Sequence, residues 1–131
     1  MDKLNVVIID DDSVCNMLSV RMLKKFVHAD FSVFEVAEEA LNFITSKKRL
    51  PDYIFLDIVM PVMDGWEFLE ELKNELGVKE ITSNVIILTS SIRKIDESKA
   101  VYLDCIESYV NKPLEKEDIE KIFKNHLVAQ S

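Results

Sequence analysis

Apolar, strand-like runs alternate with amphipathic, helix-like segments along the whole chain, and this alternation is the feature that most constrains the fold. Short apolar runs rich in β-branched residues predict strands at 4–9, 31–36, 52–57, 84–90 and 107–111. Apolar residues three or four positions apart predict helices at 13–26, 37–48, 65–76, 96–104 and 115–127. Five strand–helix units predict an α/β fold, a (βα)5 doubly wound parallel sheet with right-handed crossovers and helices on both faces.

The apolar rows of the helices predict which side chains face the sheet. Ser13 is the expected N-cap of the first helix. Its apolar row recurs every four residues and consists of Val14, Leu18, Met22 and Phe26. The inward residues of the last helix are expected to be Ile119, Ile122, Phe123 and Leu127. The helix at 65–76 is expected to end at Gly77, because glycine is a common C-terminal stop signal.

The composition is that of a globular protein with an acidic surface. With 131 residues, 48% of them apolar and 31% charged, we expect one domain over residues 1–131 and no output domain. The net charge of −8 argues against direct contact with nucleic acid or an anionic membrane, because binding phosphate groups requires clustered Lys and Arg. No signal peptide or membrane span is evident, so the cytoplasm is the expected compartment. Cys15 and Cys105 form no metal-binding pattern and are expected to be reduced thiols.

Polar side chains follow four of the five predicted strands. In parallel sheets of this kind the functional crevice lies beyond the carboxyl ends of the strands. We therefore expect acids, hydroxyls and one amine from distant segments to meet at that edge. These residues are Asp10, Asp11, Asp12, Asp57, Thr89, Ser90 and Lys112.

This set of side chains suits phosphoryl transfer assisted by a divalent cation. Clustered carboxylates are hard oxygen ligands that suit Mg²⁺, which would also offset the mutual repulsion of the three adjacent aspartates. Asp57 is placed where its carboxylate could act as a nucleophile and form an acyl phosphate. The Lys112 ammonium and the Thr89 hydroxyl could then stabilise charge on the transferred phosphoryl group.

The segments "IIDDDS", "LDIVMPVMDGWE", "ILTSS" and "YVNKPL" together resemble the receiver domain of two-component response regulators. The resemblance covers about residues 4–127, and "MPVMDG" three residues after a strand-terminal aspartate, with "KP" downstream, is highly specific. It implies a flavodoxin-like fold and a stand-alone, chemotaxis-regulator-like receiver.

The resemblance assigns roles residue by residue. It implies that Asp57 is the phosphoacceptor. The implied Mg²⁺ ligands, which Mn²⁺ could share, are Asp10, Asp11, Asp57 and the backbone carbonyl of Val59. The implied phosphate-binding residues are Thr89, Ser90 and Lys112, the implied switch residues are Thr89 and Tyr109, and the implied cis peptide bond is Lys112–Pro113. Asp12 matches a variable position and is expected to be solvated.

The resemblance also implies a function and a set of partners. A sensor histidine kinase or a histidine phosphotransfer protein would donate a phosphoryl group to Asp57. The change would switch a protein-binding surface on the fourth helix, fifth strand and fifth helix, for an unknown downstream protein. Such a domain assists its own phosphorylation and dephosphorylation but is not an enzyme with a separate substrate. It is expected to be a monomer or a weak, phosphorylation-dependent dimer.

The sequence departs from the family pattern in places, and two other functions stay open. Cys105 stands where the family often has glycine, and Val59 and Ser91 occupy positions that tune the lifetime of the phosphate. One alternative is a docking scaffold that works without phosphorylation. The other is a phosphohydrolase of the haloacid-dehalogenase type, whose D-x-D-x-[VT] signature would be met by Asp10, Asp12 and Val14.

Overall fold

The architecture is a single parallel sheet covered by helices. A computed structural model of the chain describes residues 3–77, 81–90 and 105–128. Its strands are β1 (Leu4–Ile9), β2 (Ala29–Phe34), β3 (Tyr53–Asp57), β4 (Asn84–Thr89) and β5 (Ile106–Asn111). The helices within the described residues are α1 (Ser13–Lys24), α2 (Ala37–Thr45), α3 (Gly65–Leu76) and α4 (Lys116–Ile122).

The strand order is β2-β1-β3-β4-β5, and all four neighbouring pairs are parallel. The order reverses at β1, so the crevice of a doubly wound sheet is expected beyond the ends of β1 and β3. The register places Asp57 beside Leu88 and Thr89 beside Asn111. Asp57, Thr89 and the residues that follow β5 therefore come together at the carboxyl edge of the sheet.

Two apolar layers hold the helices against the two faces of the sheet. Successive residues of β1 alternate between the layers, because side chains along a strand point to opposite faces. Val7 and Ile9 pack with α2 and α3, whereas Val6 and Ile8 pack with α1 and α4. The predicted doubly wound α/β fold is confirmed. None of the helices in the described ranges is long and apolar enough to cross a lipid bilayer.

The element boundaries differ from the predicted ones mainly at two places. β2 covers Ala29–Phe34 instead of 31–36, because its pairing with β1 begins at Leu4 and Ala29. The last helix ends at Ile122, and Leu127 forms an isolated antiparallel bridge to Val27 and is 39% exposed, so the prediction that it faces inward was wrong. The predicted helix at 96–104 and Ser91 lie outside the described residues.

The buried face of α1 is not the face that the sequence predicted. Val14 and Leu18 are exposed, while Asn16, Ser19 and Leu23 are buried. A row with a spacing of four residues drifts around a helix with 3.6 residues per turn, by about 80° between Val14 and Met22, the last member of the row inside α1. Only the end of that row therefore reaches the core. The expected N-cap was also wrong, since Asp12 caps the helix and Ser13 is its first residue.

Candidate functional site

Asp10 is fully buried directly after β1 and is held from several sides. Its Oδ2 lies 2.7 Å from the Lys112 Nζ, and its Oδ1 accepts a hydrogen bond of 3.0 Å from the Asp12 backbone N–H. Burial alone would raise the pKa of this carboxyl group. The bonds from Lys112 and the Asp12 amide outweigh burial, so the pKa lies below its ordinary value. Asp10 is therefore a buried, ionised carboxylate at neutral pH.

Asp57, the last residue of β3, shares the same ammonium group but sits in a less favourable environment. Its side chain is 5% exposed, its Oδ2 lies 3.3 Å from the Lys112 Nζ, and its Oδ1 accepts from the Val59 N–H at 3.2 Å. Burial and the charge of Asp10 raise the pKa of Asp57 to about 6, because Lys112 and the Val59 amide compensate them only in part. Asp57 is therefore ionised at neutral pH, but at a cost in free energy.

The third carboxylate, Asp11, is exposed at the mouth of the site. Oxygens of Asp10, Asp11 and Asp57 all lie within 4.8 Å of one another. Three carboxylates and the single ammonium of Lys112 leave a net charge of about −2 when all are ionised. The site thus offers hard oxygen ligands, an uncompensated negative charge and access to water on the Asp11 side. These properties fit Mg²⁺, which binds through one or two carboxylates and keeps several waters.

Lys112 directly follows β5 and is held by its backbone against the end of β4. Its backbone N–H donates to the Thr89 carbonyl oxygen at 2.8 Å, and the Lys112–Pro113 peptide bond is cis, as expected. Its ammonium group bridges Asp10 and Asp57, and these two carboxylates raise the pKa of Lys112 more than burial lowers it. One lysine thus joins the ends of β1, β3 and β5.

The predicted hydroxyl residues lie at and just after the end of β4, and the predicted aromatic residue lies within β5. Thr89 is 6% exposed at the end of β4, and Ser90 follows it as an exposed residue. Tyr109 on β5 is half-buried and packs against the apolar layer that contains α2 and α3. Val59 donates its backbone N–H to Asp57, while its own side chain is 74% exposed. The fold thus brings the predicted residues other than Tyr109 to one edge of the sheet, and Tyr109 lies opposite Ile87, two positions before Thr89.

Asp12 has a structural role that the sequence prediction missed. Asp12 is exposed, as expected, but its Oδ1 accepts hydrogen bonds from the backbone N–H groups of Val14 and Cys15. An aspartate before a helix satisfies N–H groups that have no partner within the helix. The cap fixes the start of α1 directly after the metal-binding candidates Asp10 and Asp11.

Two further residues that support Asp10 were also missed. Asn16 is 3% exposed, and its Nδ2 donates to the Asp10 carbonyl oxygen at 2.7 Å. No sequence pattern pointed to it, because the apolar row through Val14 and Leu18 predicted that Asn16 lies on the solvent-facing side of the helix. Burial and the neighbouring Asp10 carboxylate raise the pKa of the Cys15 thiol to about 11. Cys15 is therefore a protonated thiol at neutral pH.

Gly65 allows the loop after β3 to return close to Asp57. Its N–H donates to the Ile58 carbonyl oxygen at 2.9 Å. The neighbouring Asp64 starts α3 with a capping box, in which Asp64 and Glu67 each accept the other's backbone N–H. A Cβ atom on Gly65 would lie 2.6 Å from the Asp57 carbonyl oxygen and 2.9 Å from the Ile58 Cα. Backbone atoms of the phosphoacceptor candidate therefore leave no room for a side chain here.

Gly65→Ala should destabilise the protein by about 2 kcal/mol, because overpacking a site whose neighbours are backbone atoms typically costs 1–3 kcal/mol. A glycine-to-alanine change in an ordinary helix has the opposite sign. Urea unfolding followed by circular dichroism measures the difference. Glu70→Ala, at an exposed position of the same helix, is the control and should change stability by less than about 0.5 kcal/mol. An unchanged or more stable Gly65→Ala variant would contradict the close approach.

Comparison with known proteins identifies the family. Residues 6–124 match the model of the response regulator receiver domain. Protein PilG of Pseudomonas aeruginosa is 31% identical over 126 residues, which cover 96% of this chain and 89% of PilG. The crystal structure of a two-component response regulator from Cytophaga hutchinsonii has a TM-score of 0.81 and 28% identity, covering 95% of this chain and 97% of that one.

Other similar proteins are longer or more distant. The probable transcriptional regulator ycf29 of Porphyra purpurea is 30% identical over 97% of this chain, which spans only 58% of that protein. For several other curated relatives the chain spans about a fifth to a third of their length. The Mg²⁺-complexed receiver domain of the histidine kinase CKI1 from Arabidopsis thaliana, at 20% identity and a TM-score of 0.76, shares the fold over 93% of this chain. The sheet order, the acidic edge and the match over residues 6–124 lead to one conclusion: the chain belongs to the response regulator receiver domain family.

Proposed function

We propose that the protein is a phosphorylation-switched signalling domain whose phosphoacceptor is Asp57. The observation that carries the proposal is the geometry at the end of β3. Asp57 is a buried carboxylate that shares an ammonium group with Asp10, and oxygens of Asp10, Asp11 and Asp57 lie within 4.8 Å of one another. A nucleophile, a positive charge and a candidate cation site thus meet within one cluster.

The proposed reaction transfers a phosphoryl group from a phosphohistidine to Asp57. An oxygen of the Asp57 carboxylate attacks the phosphorus atom, the P–N bond breaks, and its electron pair leaves with the imidazole. The product is an aspartyl phosphate. With a pKa of about 6, Asp57 is already ionised at neutral pH and needs no general base. Bound Mg²⁺ would supply positive charge for the phosphoryl oxygens. Lys112 adds a fixed positive charge on the other side, and Asp10 keeps Lys112 in place.

The switch would follow from the charge that the reaction adds. A phosphoryl group on Asp57 offers new partners to the Lys112 ammonium and the Thr89 hydroxyl, which lie at the ends of neighbouring strands. A shift of the β4 end would be passed to Tyr109 on β5, which is half-buried. The proposed output surface includes β5 and α4. The predicted helix at 96–104, which would complete it, lies outside the described residues.

The proposed partners follow from the same chemistry. The phosphoryl donor would be a sensor histidine kinase or a histidine phosphotransfer protein, met in the cytoplasm. The receiver of the signal would be a protein, because a net charge of −8 does not suit nucleic acid or an anionic membrane. A monomer, or a weak dimer formed on phosphorylation, fits this role. We propose no separate substrate, so the domain is not an enzyme in the ordinary sense.

The test is to incubate the protein with Mg²⁺ and acetyl phosphate and to measure its intact mass. The expected result is a gain of one phosphoryl group. The gain should be absent when EDTA is added before the phosphodonor, and absent in Asp57→Asn. A matched control is Asp52→Asn, because Asp52 lies before β3 at the opposite edge of the sheet, and this variant should be phosphorylated like the parent.

Each alternative predicts a different outcome of this experiment. A label that remains in Asp57→Asn and disappears in Asp10→Asn would favour the phosphohydrolase. That function would need Asp12 as its acid or base, whereas the Asp12 carboxylate caps α1. No label from acetyl phosphate or from a cognate kinase would favour the docking scaffold. Neither alternative uses the bridge from Lys112 to Asp57.

A further inference from the structure

Asn16 is buried on the sheet-facing side of α1 with only part of its hydrogen-bonding capacity used. The side chain is 3% exposed, and its Nδ2 donates to the Asp10 carbonyl oxygen at 2.7 Å. Within the residues that the structure describes, its Oδ1 is buried and has no hydrogen-bond partner. Such an oxygen destabilises the folded state, because the bonds to water that it loses on folding are not replaced. An apolar side chain would avoid this loss, so packing alone does not explain an asparagine at this position.

The bond that Asn16 does make holds the backbone between two candidate Mg²⁺ ligands. The Asp10 carbonyl group and the Asp11 N–H belong to one planar peptide group. A hydrogen bond to the carbonyl oxygen therefore restrains the orientation of the whole group. The Asp11 side chain is exposed, so the direction in which its carboxylate leaves the chain is set by the backbone of this segment.

Each part of the segment 10–12 is fastened by a different group. The Lys112 ammonium and the Asp12 N–H hold the Asp10 carboxylate. The Asp12 carboxylate is tied to backbone N–H groups in the first turn of α1. The Asn16 amide holds the peptide group that joins Asp10 to Asp11. Because the carboxylate oxygens of the acidic site lie within 4.8 Å of one another, a rotation of this peptide group would change the distances among them.

We infer that Asn16 is a positioning residue that sets the affinity of the acidic site for Mg²⁺ by fixing the peptide group between Asp10 and Asp11. This inference rests on the proposed function and identifies a residue that tunes its dependence on the cation. Asn16 acts through the two aspartates and does not itself contact the ion or the phosphoryl group. Replacing groups that orient metal ligands typically weakens metal binding by about 10–100-fold. The buried oxygen without a partner is then retained for function at the expense of stability.

Asn16→Leu separates positioning from packing. Leucine has a similar branched shape, removes the buried oxygen that has no partner, and leaves the Asp10 carbonyl oxygen without its donor. These two changes act on stability in opposite directions, so we expect a small change in the urea midpoint. The loss of the donor acts on the Mg²⁺ site in one direction, and we expect the Kd for Mg²⁺ to rise about tenfold. Asn16→Ala is the second variant, with lower stability and a similar rise in Kd.

The experiment titrates Mg²⁺ into the unphosphorylated proteins by isothermal titration calorimetry, which measures Kd without any phosphoryl transfer. Ser19→Ala is the matched control, because Ser19 is a buried polar residue of the same helix at 4% exposure. Its Kd should stay within about twofold of the parent value. The rate of phosphorylation by acetyl phosphate is the second measurement. For Asn16→Leu this rate should be about tenfold below the parent at low Mg²⁺ and within about twofold of it at saturating Mg²⁺.

The outcomes distinguish failure of the inference from failure of the proposed function. A Kd within about twofold of the parent in both Asn16 variants overturns the inference and leaves the proposed function intact. An equal rise in Ser19→Ala also overturns it, because any buried polar change in α1 would then have the same effect. A rate that stays low at saturating Mg²⁺ overturns it too, since Asn16 would then act on the reaction itself. A parent protein that binds Mg²⁺ but gains no phosphoryl group on Asp57 overturns the proposed function, while the comparison of Kd values still decides the inference.

Discussion

Replacing Lys112 by methionine should destabilise the protein by about 3 kcal/mol at pH 7 in the presence of EDTA. Asp10 is fully buried, and its Oδ2 lies 2.7 Å from the Lys112 Nζ. Removing one partner of a buried ion pair costs about 3–5 kcal/mol, because the other charge remains buried without compensation. Asp57, 3.3 Å from the same ammonium group, loses its compensation as well. Methionine keeps much of the length of the side chain, so the loss of charge dominates.

Urea unfolding measures this effect, and the chain provides a matched control. Lys3 and Asp30 form an exposed ion pair at 3.4 Å, and Lys3→Met should cost less than about 0.5 kcal/mol. The effect also has a defined pH dependence. The folded-state pKa of Asp10 is lowered, so its stabilising contribution is present above its ordinary pKa of 3.8 and is lost as the pH falls through the lower folded value. The Lys112→Met penalty should therefore shrink below about pH 4. A penalty no larger than that of Lys3→Met at pH 7 would contradict the role of Lys112.

Divalent cations should restore part of the stability that Lys112→Met loses. A ligand that binds only the folded state stabilises it in proportion to the logarithm of its concentration above Kd. The variant has one positive charge fewer beside the cluster of Asp10, Asp11 and Asp57, so it should gain more from Mg²⁺ than the parent does. Unfolding curves at increasing MgCl2 concentrations measure the difference, with NaCl at matched ionic strength as the control.

The sheet could be predicted from the sequence because its signals are local and repeated. β1, β3 and β4 each contain four consecutive apolar residues that are all buried, and such runs are typical of parallel strands covered on both sides. The parallel order then follows from the alternation with helices. Gly77 ends α3 as expected, with a φ of 87° that glycine adopts without strain.

The orientation of α1 could not be predicted in the same way. Its sheet-facing side carries Asn16 and Ser19 in place of apolar residues, so the strongest apolar row marks the wrong face. The polar residue is there because Asn16 donates to the Asp10 carbonyl oxygen. A local rule fails at this helix because the helix supports a functional site, and such failures are expected at functional positions.

The members of the site could be predicted, but the energetic relations among them could not. Strand ends predicted that Asp10, Asp57, Thr89 and Lys112 would come close together. The Lys112 ammonium group pairs with two buried carboxylates, yet the pKa of Asp10 is lowered and that of Asp57 is raised. This difference depends on distances and burial, which the sequence does not contain. The φ angle of 70° at Val62 is likewise a property of the backbone that residue spacing does not reveal.

In the absence of divalent cations at pH 7.5, Asp57→Asn should stabilise the protein by about 1–3 kcal/mol, although it removes the proposed phosphoacceptor. Burial and the charge of Asp10 raise the pKa of Asp57 from 3.8 to about 6. A shift of that size corresponds to at most about 3 kcal/mol of destabilisation once both the folded and unfolded states are ionised. Asparagine has nearly the same shape and carries no charge, so it removes this penalty.

The sign of the pH dependence follows from the raised pKa of Asp57. Between the unfolded value of 3.8 and the folded value of about 6 the folded state binds more protons than the unfolded state, so stability falls as the pH rises through this range. The advantage of Asp57→Asn should therefore be full above about pH 7 and fall below about 1 kcal/mol at pH 4. Urea unfolding of both proteins at the two pH values in EDTA measures it. A variant less stable than the parent at pH 7.5, or an advantage that does not change with pH, would contradict the conclusion that ionised Asp57 destabilises the folded state.

The stability gained by Asp57→Asn would show what the phosphorylation site costs the fold. Repulsion between Asp10 and Asp57 is useful only if a cation or a phosphoryl group is to be bound there, since a site optimised for stability would not keep both charges beside one lysine. In saturating Mg²⁺ the parent should recover most of the difference, because Asp57→Asn removes a carboxylate ligand and binds the ion more weakly. Measuring both proteins with and without Mg²⁺ thus tests whether the strained carboxylate is kept for binding the ion. If Mg²⁺ stabilised Asp57→Asn as much as the parent, Asp57 could not be a ligand of the ion.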